Sequence, residues 1–529
     1  MGENCEKGGK QVYHVIKVHV GPKDKLYTYC SDVTHAANNL RNATLFRVRQ
    51  VLTMVDKTYE TMTDNEREVY NELQMALPLM GEKYSMPSKG NTFLGYEFLD
   101  SLLKNTHNPD YFCKSIPRHT AQHVIKGVTK DMKGFYALCK TYRENPELLN
   151  GKPQLPHYGK PGGYHTAMLS NQECVVYETS DIHTSKNPID GATRVVRHEV
   201  KLPRTKIRLD LGETPISGRL KQAAIIPTHG IFVISLTFDD GNEPAQPTEQ
   251  PKRVCSIDIG VDNLAAMTNN LGEPCLLFKG GVVKSVNQHY NKQMAKLVSE
   301  QTKGTDKKFQ PTPESRKLEL WRENHINDFM HKTAATIVDW CKAHRVDTLI
   351  VGVNKGWKQE CHMGHVNNQN FVMIPFAKFR FMLQYRCQRA GIAYVEQEES
   401  YTSKASFVDR DFIPTYGHEG AHEQKFSGSR IHRGVYRTKN KQLINADLNG
   451  SANIARKAFP DIFDREGCQP PDFFRVEIIR HPYGKTAKYA NHGQKPAGPK
   501  PISKAKHARL VRKARKASST SNSKVIPMG

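Results

Sequence analysis

The alternation of apolar and polar residues divides the first half of the chain into three regions. The run at 11–20, QVYHVIKVHV, alternates as a half-buried strand does. From about His35 to Tyr142, apolar residues recur at helical spacing with basic residues between them, which predicts a helical bundle with a basic face. Residues 151–240 are short apolar runs separated by Gly and Pro, which predicts a small β-barrel. The strand at 11–20 could complete that barrel around the helices.

A different succession follows the polar, proline-rich residues 241–253, which we interpret as a linker. Three short apolar runs joined by tight turns predict a β-meander. Helix, strand, helix, strand and helix come next, and the last helix covers 447–459. Three antiparallel strands followed by two that return through crossovers are the order of an RNase H-like fold. We therefore expect a multidomain α+β protein whose second half is an α/β domain of this type.

Composition and charge narrow the class of partner. With 529 residues, 38% of them hydrophobic, the chain can bury more than one core. The formal net charge of +24, from 77 Lys and Arg against 53 Asp and Glu, indicates a polyanionic partner, and nucleic acid is the first candidate. No stretch of about 18 apolar residues and no signal-peptide pattern are present, so we expect an intracellular protein without a membrane partner. Eleven scattered cysteines fit a reducing compartment.

Two aspartates are the first candidates for chemistry. Asp258 lies inside the apolar run VCSIDIG, where an unpaired carboxylate would cost several kcal/mol. Asp447 lies at the start of the last predicted helix. Taken singly, Asp258 could cap a turn and Asp447 could be a helix N-cap. As a pair, they would meet at one edge of the predicted sheet and supply the hard oxygen ligands of two Mg²⁺ ions about 4 Å apart, with Mn²⁺ as an alternative ion.

Six motifs in a fixed order carry a family resemblance: DIGVDNLA (258–265), GVNKGWKQ (352–359), NNQNFVMIPF (367–376), EESYTSKASF (398–407), RIHRGVYR (430–437) and ADLNGSANIARK (446–457). Together they resemble TnpB, a family of transposon-encoded, RNA-guided DNA endonucleases related to type V CRISPR effectors and to the eukaryotic Fanzors. More weakly, residues 37–50 and 153–159 resemble the recognition lobe and wedge barrel of that family. The resemblance implies a guide RNA and target double-stranded DNA as partners, and one RuvC site that cuts the DNA with divalent metal.

The resemblance also assigns domains. It implies a wedge β-barrel at 1–35 and 151–240, a helical recognition domain at 36–150 and the linker at 241–253. A RuvC nuclease domain at 254–399 and 447–465 surrounds a nucleic-acid-binding insert at 400–446. Residues 466–529 are expected to form a basic, disordered tail.

The third acid of the site is displaced relative to the usual family pattern. Where the fourth strand normally ends in Glu, this sequence has Gly352, which has no side chain to bind metal. A subset of the family relocates the acid to the fifth strand, which implies Glu398 or Glu399 here. Strand alternation sends the two to opposite faces, so only one of them reaches Asp258. Asp409 or Asp411 is the alternative.

Several residues are candidates for contact with nucleic acid. Residues 400–446 contain no cysteine, so the zinc ribbon of many relatives is not expected. The same region mixes basic and aromatic side chains suited to phosphate contact and base stacking: Lys404, Arg430, Arg433, Tyr436 and Arg437. Asn354, Trp357 and Lys358 are weaker candidates, as groups placed just outside the metal site.

Two rival functions and two compartments stay open. Gly352 is compatible with a guide-directed DNA-binding protein whose nuclease has decayed, and the same fold serves transposases that join DNA ends directly. A bacterial protein would be cytoplasmic and nucleoid-associated. A eukaryotic Fanzor would be nuclear, with the basic tail as its import signal.

Overall fold

The structure is a computed structural model, which describes residues 12–184, 192–304, 306–354, 373–417, 421 and 423–482. The first half begins with strand β1 (Tyr13–Val20) and continues with four helices. These are α1 (Tyr27–Met54), α2 (Asp64–Met80), α3 (Tyr96–Asn105) and α4 (Arg118–Glu144). Six strands follow: β2 (Ala167–Ser170), β3 (Val175–Thr184), β4 (Ala192–Lys201), β5 (Arg208–Gly212), β6 (Arg219–Thr228) and β7 (Ile231–Asp239).

The strands of this half form two open sheets. One has the order β1-β7-β6-β2 and the other the order β3-β4-β5. Because β1 pairs antiparallel with β7, with Tyr13 opposite Asp239, the first strand does join the later ones around the helices. A closed barrel, however, is not found among the described residues, and the predicted barrel is replaced by these two sheets.

The helices pack on one another and on the first sheet through a shared apolar core. Leu40, Leu45, Val48 and Val51 of α1 are buried in it, at the helical spacing that the sequence shows. Helix α2 begins with a capping box, in which Thr63 Oγ1 accepts from Glu66 N and Glu66 Oε2 accepts from Thr63 N.

The loop at 156–160 is held against α1 by polar side chains. The Asn42 amide donates to Gly159 O at 3.0 Å and accepts from Gly159 N at 2.8 Å. Asn38 donates to Lys160 O at 3.0 Å, and Arg41 donates to His157 O at 2.8 Å. This ladder links the two segments of the first half that resemble TnpB, 37–50 and 153–159.

The second half is built around a six-stranded sheet. Its strands are β8 (Val254–Asp258), β9 (Asn263–Asn269), β10 (Cys275–Lys279), β11 (Thr348–Val353), β12 (Ala393–Glu398) and, near the end of the described chain, β16 (Val476–Ile479). Helices α5 (Gly281–Thr302), α6 (Pro313–Ala343), α7 (Phe376–Arg389) and α8 (Ala446–Ala458) accompany them. The insert contains a small sheet of β13 (Ser429–His432), β14 (Val435–Arg437) and β15 (Leu443–Asn445).

The order of the large sheet is β12-β11-β8-β9-β10-β16. Strands β8, β9 and β10 are antiparallel neighbours, whereas β11 runs parallel to β8 and β12 parallel to β11. Parallel neighbours need crossover connections, which helices α5, α6 and α7 are placed to provide. The carboxyl ends of β8, β11 and β12 therefore lie at the same edge of the sheet.

The sheet buries a different helix set on each face. Cys255 and Ile257 of β8 pack with Leu349 and Val351 of β11 against the α5, α6 and α7 side. The alternate residues, Val254 and Ile350, pack against Ile454 and Ala455 of α8. Strand alternation thus assigns Asp258 to the α8 face, two residues after Ser256.

Residues 466–482 correct the predicted tail. Strand β16 pairs parallel with β10, with Cys275 opposite Val476 and Phe278 opposite Ile479. This part of the expected tail is therefore a strand of the sheet, and residues 483–529 lie outside the described residues. Within the described part of the chain, no helix is both long and apolar enough to cross a membrane.

The reciprocal Asn42–Gly159 bonds lead to a stability prediction. Replacing Asn42 by Ala removes two hydrogen bonds that fix residues 156–160 on α1, so we expect the free energy of unfolding to fall by about 2 kcal/mol. The measurement is the urea midpoint of the first cooperative transition of the full chain. The control is Asn71→Ala, which removes one exposed bond of 3.3 Å to Tyr59 and should change stability by less than about 0.5 kcal/mol. Equal midpoints for the two variants would contradict the role of the ladder.

Candidate active site

A cleft of about 650 Å³ opens at the carboxyl edge of the sheet. It is lined by three of the acids singled out from the sequence, Asp258, Glu399 and Asp447, together with Asn354, Arg430 and Arg433. These residues come from β8, from the end of β12, from α8, from the end of β11 and from the insert. The fold therefore brings together side chains that are almost two hundred positions apart in the sequence.

Asp447 is not the N-cap of its helix. Asn445 is the cap, because its side chain accepts from both Asp447 N at 3.0 Å and Leu448 N at 3.1 Å. The Asp447 carboxylate is thus free to face the cleft, where Asn263 Nδ2 donates to Oδ2 at 2.6 Å. The Asn263 amide is itself oriented by Lys279, whose Nζ donates to Oδ1 at 2.7 Å. The remaining oxygen, Oδ1, lies 3.3 Å from an Arg430 guanidinium nitrogen.

Asp258 is the electrostatic centre of the cleft. Burial raises the pKa of its carboxyl well above the ordinary value, and repulsion from Glu399 and Asp447 raises it further, while Arg430 acts in the opposite direction. Its carboxylate also lies against Gly450 of α8, where an added Cβ would come within 2.6 Å of Oδ2. Position 450 therefore has no room for a side chain as long as Asp258 keeps this place.

The two candidate glutamates have different surroundings. Burial raises the pKa of Glu399 to about 7, with the neighbouring Glu398 contributing in the same direction. Glu398 instead contacts Lys457, with Nζ 2.6 Å from Oε2, and accepts from Ser400 N at 2.7 Å. Although burial raises the pKa of Glu398, these hydrogen bonds outweigh it, and the net shift is downward. Glu399 lines the cleft, whereas Glu398 belongs to an ion pair beside it.

Gly352 makes room for Glu399. A Cβ at position 352 would come within 2.6 Å of Glu399 Oε2 and within 2.5 Å of Ile454 Cδ1. The Glu399 carboxylate from the fifth strand thus lies where the first atoms of a side chain on the fourth strand would be. Strand alternation agrees, because Val395 packs with the α8 face and Glu399 follows it at a spacing of four.

Residues along one face of α8 contact the carboxyl edge of the sheet at several points around the cleft. Asp447, Gly450, Ile454 and Lys457 recur at intervals of three and four residues, the spacing of one helix face. Each contacts a different part of the edge: Asp447 contacts Asn263, Gly450 lies against Asp258, Ile454 lies over Gly352, and Lys457 binds Glu398.

The donor set fits a divalent cation by its chemistry. Within the described ranges, no three His, Cys, Asp or Glu side chains are already arranged around a metal position. The three carboxylates nevertheless offer only hard oxygen atoms, the ligands that Mg²⁺ and Mn²⁺ prefer. Burial is the main cause of the raised pKa of Asp258, and the neighbouring Glu399 and Asp447 add negative charge that a cation would neutralise.

The alternative third ligands are engaged elsewhere. Asp409 Oδ2 accepts from Ser406 Oγ at 2.6 Å and from Lys439 N at 2.9 Å. Asp411 accepts from the backbone of Ser406 and of Ser427. Both carboxylates organise the loop of the insert, and neither lines the cleft.

The predicted nucleic-acid contacts divide into three groups. Arg430 and Arg433 line the cleft, and Arg433 pairs with Asp262. Lys404 and Arg437 are exposed outside it.

The prediction that Tyr436 stacks on a base is wrong, because its side chain is fully buried. Its hydroxyl donates to Lys404 O at 2.8 Å, and burial raises its pKa to about 12. Tyr436 is therefore a core residue. Asn354 lines the cleft, whereas Trp357 and Lys358 lie outside the described residues.

The sequence interpretation missed four residues of this site: Asn263, Lys279, Gly450 and Lys457. Asn263 and Gly450 lie inside two of the quoted motifs, and Lys457 is on the same helix stripe as Asp447. Helical spacing could have suggested Lys457 and Gly450. The Lys279–Asn263 bond could not be predicted, because it depends on the register of β9 and β10.

Two known protein families match the part of the chain that forms the sheet and the cleft. The family described as OrfB_IS605, "Probable transposase", matches residues 237–358, and the family described as "Cas12f1-like, TNB domain" matches residues 376–454. The two matches follow one another over the sheet, the cleft and the insert. The chain is related to the TnpB family. The resemblance read from the motifs is thereby confirmed, and no curated protein matches the sequence.

Solved structures with which the TnpB-related chain aligns are distant. A Cas12f1 complex with single-guide RNA and target DNA is 11% identical with a TM-score of 0.28, over 83% of this chain and 98% of that one. The mini-RNA-guided endonuclease CRISPR-Cas_phi3 is 9% identical with a TM-score of 0.41, over 87% and 94%. Alicyclobacillus acidoterrestris C2c1 with single-guide RNA is 9% identical with a TM-score of 0.27, over 79% and 70%. At these scores the alignments carry no argument about the cleft.

Gly352 provides a prediction for this site. In the variant Gly352→Ala, the new methyl group would overlap Glu399 Oε2 and Ile454 Cδ1, so we expect a loss of about 1–3 kcal/mol of stability. The control is Gly127→Ala in α4, where nothing lies within 4 Å of the added Cβ and helix propensity predicts a gain of about 0.5–1 kcal/mol. Thermal unfolding of both full-length variants measures the difference. A Gly352→Ala protein as stable as the wild type would show that Glu399 does not occupy this space.

Proposed function

We propose that the chain is an RNA-guided DNA endonuclease that hydrolyses phosphodiester bonds at one RNase H-like site. The observation that carries the proposal is the meeting of Asp258, Glu399 and Asp447 in one cleft, with Gly352 leaving space for the relocated glutamate. Structural acids on a surface are normally separated or paired with cations. Here three carboxylates share one cleft in which burial and mutual repulsion raise the pKa of Asp258, and of the three only Asp447 has a cation, Arg430, as an ion-pair partner among the described residues.

The sheet supports the RNase H-like interpretation. Its central strand β8 carries Asp258, antiparallel β9 and β10 lie on one side, and parallel β11 and β12 lie on the other. In such a sheet, ligands bind beyond the carboxyl ends of the parallel strands. Asp258, at the end of β8, and Glu399, just after β12, therefore lie at this binding edge. Helix α8, which packs on one face of the sheet, adds Asp447.

In this proposal, Asp258, Glu399 and Asp447 would hold Mg²⁺ ions. Bound Mg²⁺ supplies an activated water and stabilises charge on the phosphate oxygens. The chain's own residues do the rest. Asn263 and Lys279 orient the Asp447 carboxylate, and Arg430 and Arg433 present guanidinium groups to a phosphate backbone entering the cleft. Asn354, which also lines the cleft, would donate or accept a hydrogen bond there.

The partners follow from the family and the charge. The motif resemblance to TnpB, a family of RNA-guided DNA endonucleases, supports a guide RNA and a target DNA as the two nucleic acids, and the match to the Cas12f1-like family is consistent with it. A net charge of +24 suits a protein that must neutralise two phosphate backbones. Guide pairing would then select the sequence, and the protein would recognise a short flanking motif as duplex.

Two other functions have a specific observation in their favour. A DNA-binding protein with a decayed nuclease was suggested by Gly352, but Glu399 occupying that space weakens the case. A transposase is favoured by the description of the family that matches 237–358. Joined DNA ends formed without guide RNA would select the transposase.

The first functional prediction concerns the acids. RNA that copurifies with the chain is sequenced and its variable end used to choose a complementary DNA. With Mg²⁺ we expect the wild type to cut this DNA, and Asp258→Ala, Glu399→Gln and Asp447→Asn each to lower the rate by about a hundredfold or more, since each removes a charge from the reacting centre. Binding of the same DNA, measured by gel shift in Ca²⁺, serves as the control and should be retained. A wild type that binds this target and never cuts it would select the decayed nuclease.

The second prediction concerns the arginines. Neutralising one phosphate contact weakens nucleic-acid binding without regard to sequence and lowers its dependence on salt. We therefore expect Arg433→Gln to weaken target binding and to reduce the slope of log affinity against log salt concentration by about one. Tyr436→Phe should leave the affinity and the slope unchanged, because that ring is buried. Fluorescence anisotropy across a salt series measures both quantities. Equal effects of the two variants would place the DNA path away from the cleft.

A further inference from the structure

The ion pair beside the cleft, Lys457 with Glu398, has no role in the chemistry described so far. The Lys457 side chain is only 7% exposed, although it carries a full positive charge at the end of α8. Its ammonium group donates to Glu398 Oε2 at 2.6 Å, to Ser400 O at 3.0 Å and to Pro414 O at 3.2 Å. A lysine ammonium has three N–H donors, and all three are used.

This saturation excludes one role and indicates another. Because no N–H is left over, Lys457 cannot also donate to a phosphate in the cleft without giving up a buried partner. The three acceptors belong to the end of β12, to the turn after it and to the loop of the insert. Lys457 therefore ties α8 to the segment in which Glu399 lies.

The backbone on both sides of Glu399 is fixed as well. Glu399 N donates to Val353 O of β11 at 3.2 Å, and Glu399 O accepts from Thr402 N at 3.2 Å and Thr402 Oγ1 at 2.8 Å. Asn453 of α8 in turn donates to Thr402 O at 2.9 Å. The side chain of Glu398 fixes this segment at a further point: Ser400 donates to Oε1 from its backbone and its hydroxyl, and Lys457 connects Oε2 to α8.

We propose that Lys457 and Glu398 are a positioning pair, which sets the place of the Glu399 carboxylate against Asp258 and Asp447 and thereby sets the affinity of the cleft for a divalent cation. This inference rests on the proposed function. Asp447 lies in the first turn of α8 and Lys457 lies near its end. One rigid helix would therefore fix the distance between Asp447 and the segment of Glu398 and Glu399 that Lys457 binds. Neither Lys457 nor Glu398 contacts metal in this arrangement.

The test measures binding of Mn²⁺ alone to the purified full-length chain, by the loss of the free-ion electron paramagnetic resonance signal. Groups that orient metal ligands change metal affinity by about 10–100-fold when they are replaced. We expect Lys457→Met and Glu398→Gln each to weaken Mn²⁺ binding by about tenfold or more, and Lys457→Arg to remain closer to the wild type because it keeps the charge and the donors. Glu399→Gln, which removes a proposed ligand, should weaken binding at least as much.

A matched control separates positioning from stability. Lys57 and Glu66 form another ion pair with a buried carboxylate, at 2.7 and 2.8 Å, in the first half of the chain. Lys57→Met should lower the melting temperature and leave Mn²⁺ affinity unchanged. If Lys457→Met does not fold, Glu398→Gln, which keeps the lysine, carries the test.

The outcomes distinguish this inference from the function on which it rests. Wild-type Mn²⁺ affinity in Lys457→Met and in Glu398→Gln, with loss in Glu399→Gln, would overturn the positioning role and leave the metal site standing. Equal weakening in Lys57→Met would overturn it too, because the effect would then be one of general stability. A wild type that binds no Mn²⁺ and cuts no DNA would overturn the proposed function itself.

Discussion

The packing of helix α8 on the large sheet is the contact on which the cleft depends. Small residues make that contact close: Gly450 lies against Asp258, and Ser451 Oγ donates to Ser256 O at 2.8 Å. Buried hydroxyl groups of Ser256 and Thr268 complete this layer, 2.8 Å apart. A helix held this near to the strands brings its own carboxylate, Asp447, to the acid at the end of β8. The mutual repulsion of those carboxylates is a cost that the apolar contacts of Ile454 and Ala455 must offset.

The opposite face of the sheet connects the two halves of the chain. The turn between β6 and β7 places His229 beside two glutamates of α6, with Nδ1 2.9 Å from Glu319 and Nε2 3.4 Å from Glu323. Asp240, just after β7, contacts His14 of β1 at 2.9 Å and Arg389 of α7 at 3.5 Å. The first half of the chain therefore contacts, through its first sheet, helices that underlie β8 and β11. A displacement of these helices would move the strands that end at the cleft.

Much of this arrangement could be predicted from the sequence, and the failures have physical causes. The helices from 254 to 399 follow from the helical spacing of their apolar residues, and the central strands follow from short continuous apolar runs, because β8, β9, β10 and β11 are buried on both faces. The choice between Glu398 and Glu399 could not be made, since the phase of β12 is set by the contact of Val395 with the α8 face, which no local pattern contains. Tyr436 was misinterpreted because an aromatic ring among arginines has the same composition whether it is exposed or buried. The prediction of a closed barrel was wrong for a similar reason, because apolar runs along the sequence do not show whether the last strand of a sheet pairs with the first.

Strand β16 has a consequence for how the protein is made. It forms the outer strand of the sheet beside β10, although the ribosome synthesises it long after β10, and α8 also comes late. Domains fold from the N-terminus as the chain emerges, so β8 to β12 must wait in an incomplete sheet with one face and one edge uncovered. Asp258 and Glu399 lack Asp447 until α8 has been synthesised. The three acids of the cleft can therefore come together only after residues 446–458, which form α8, have left the ribosome.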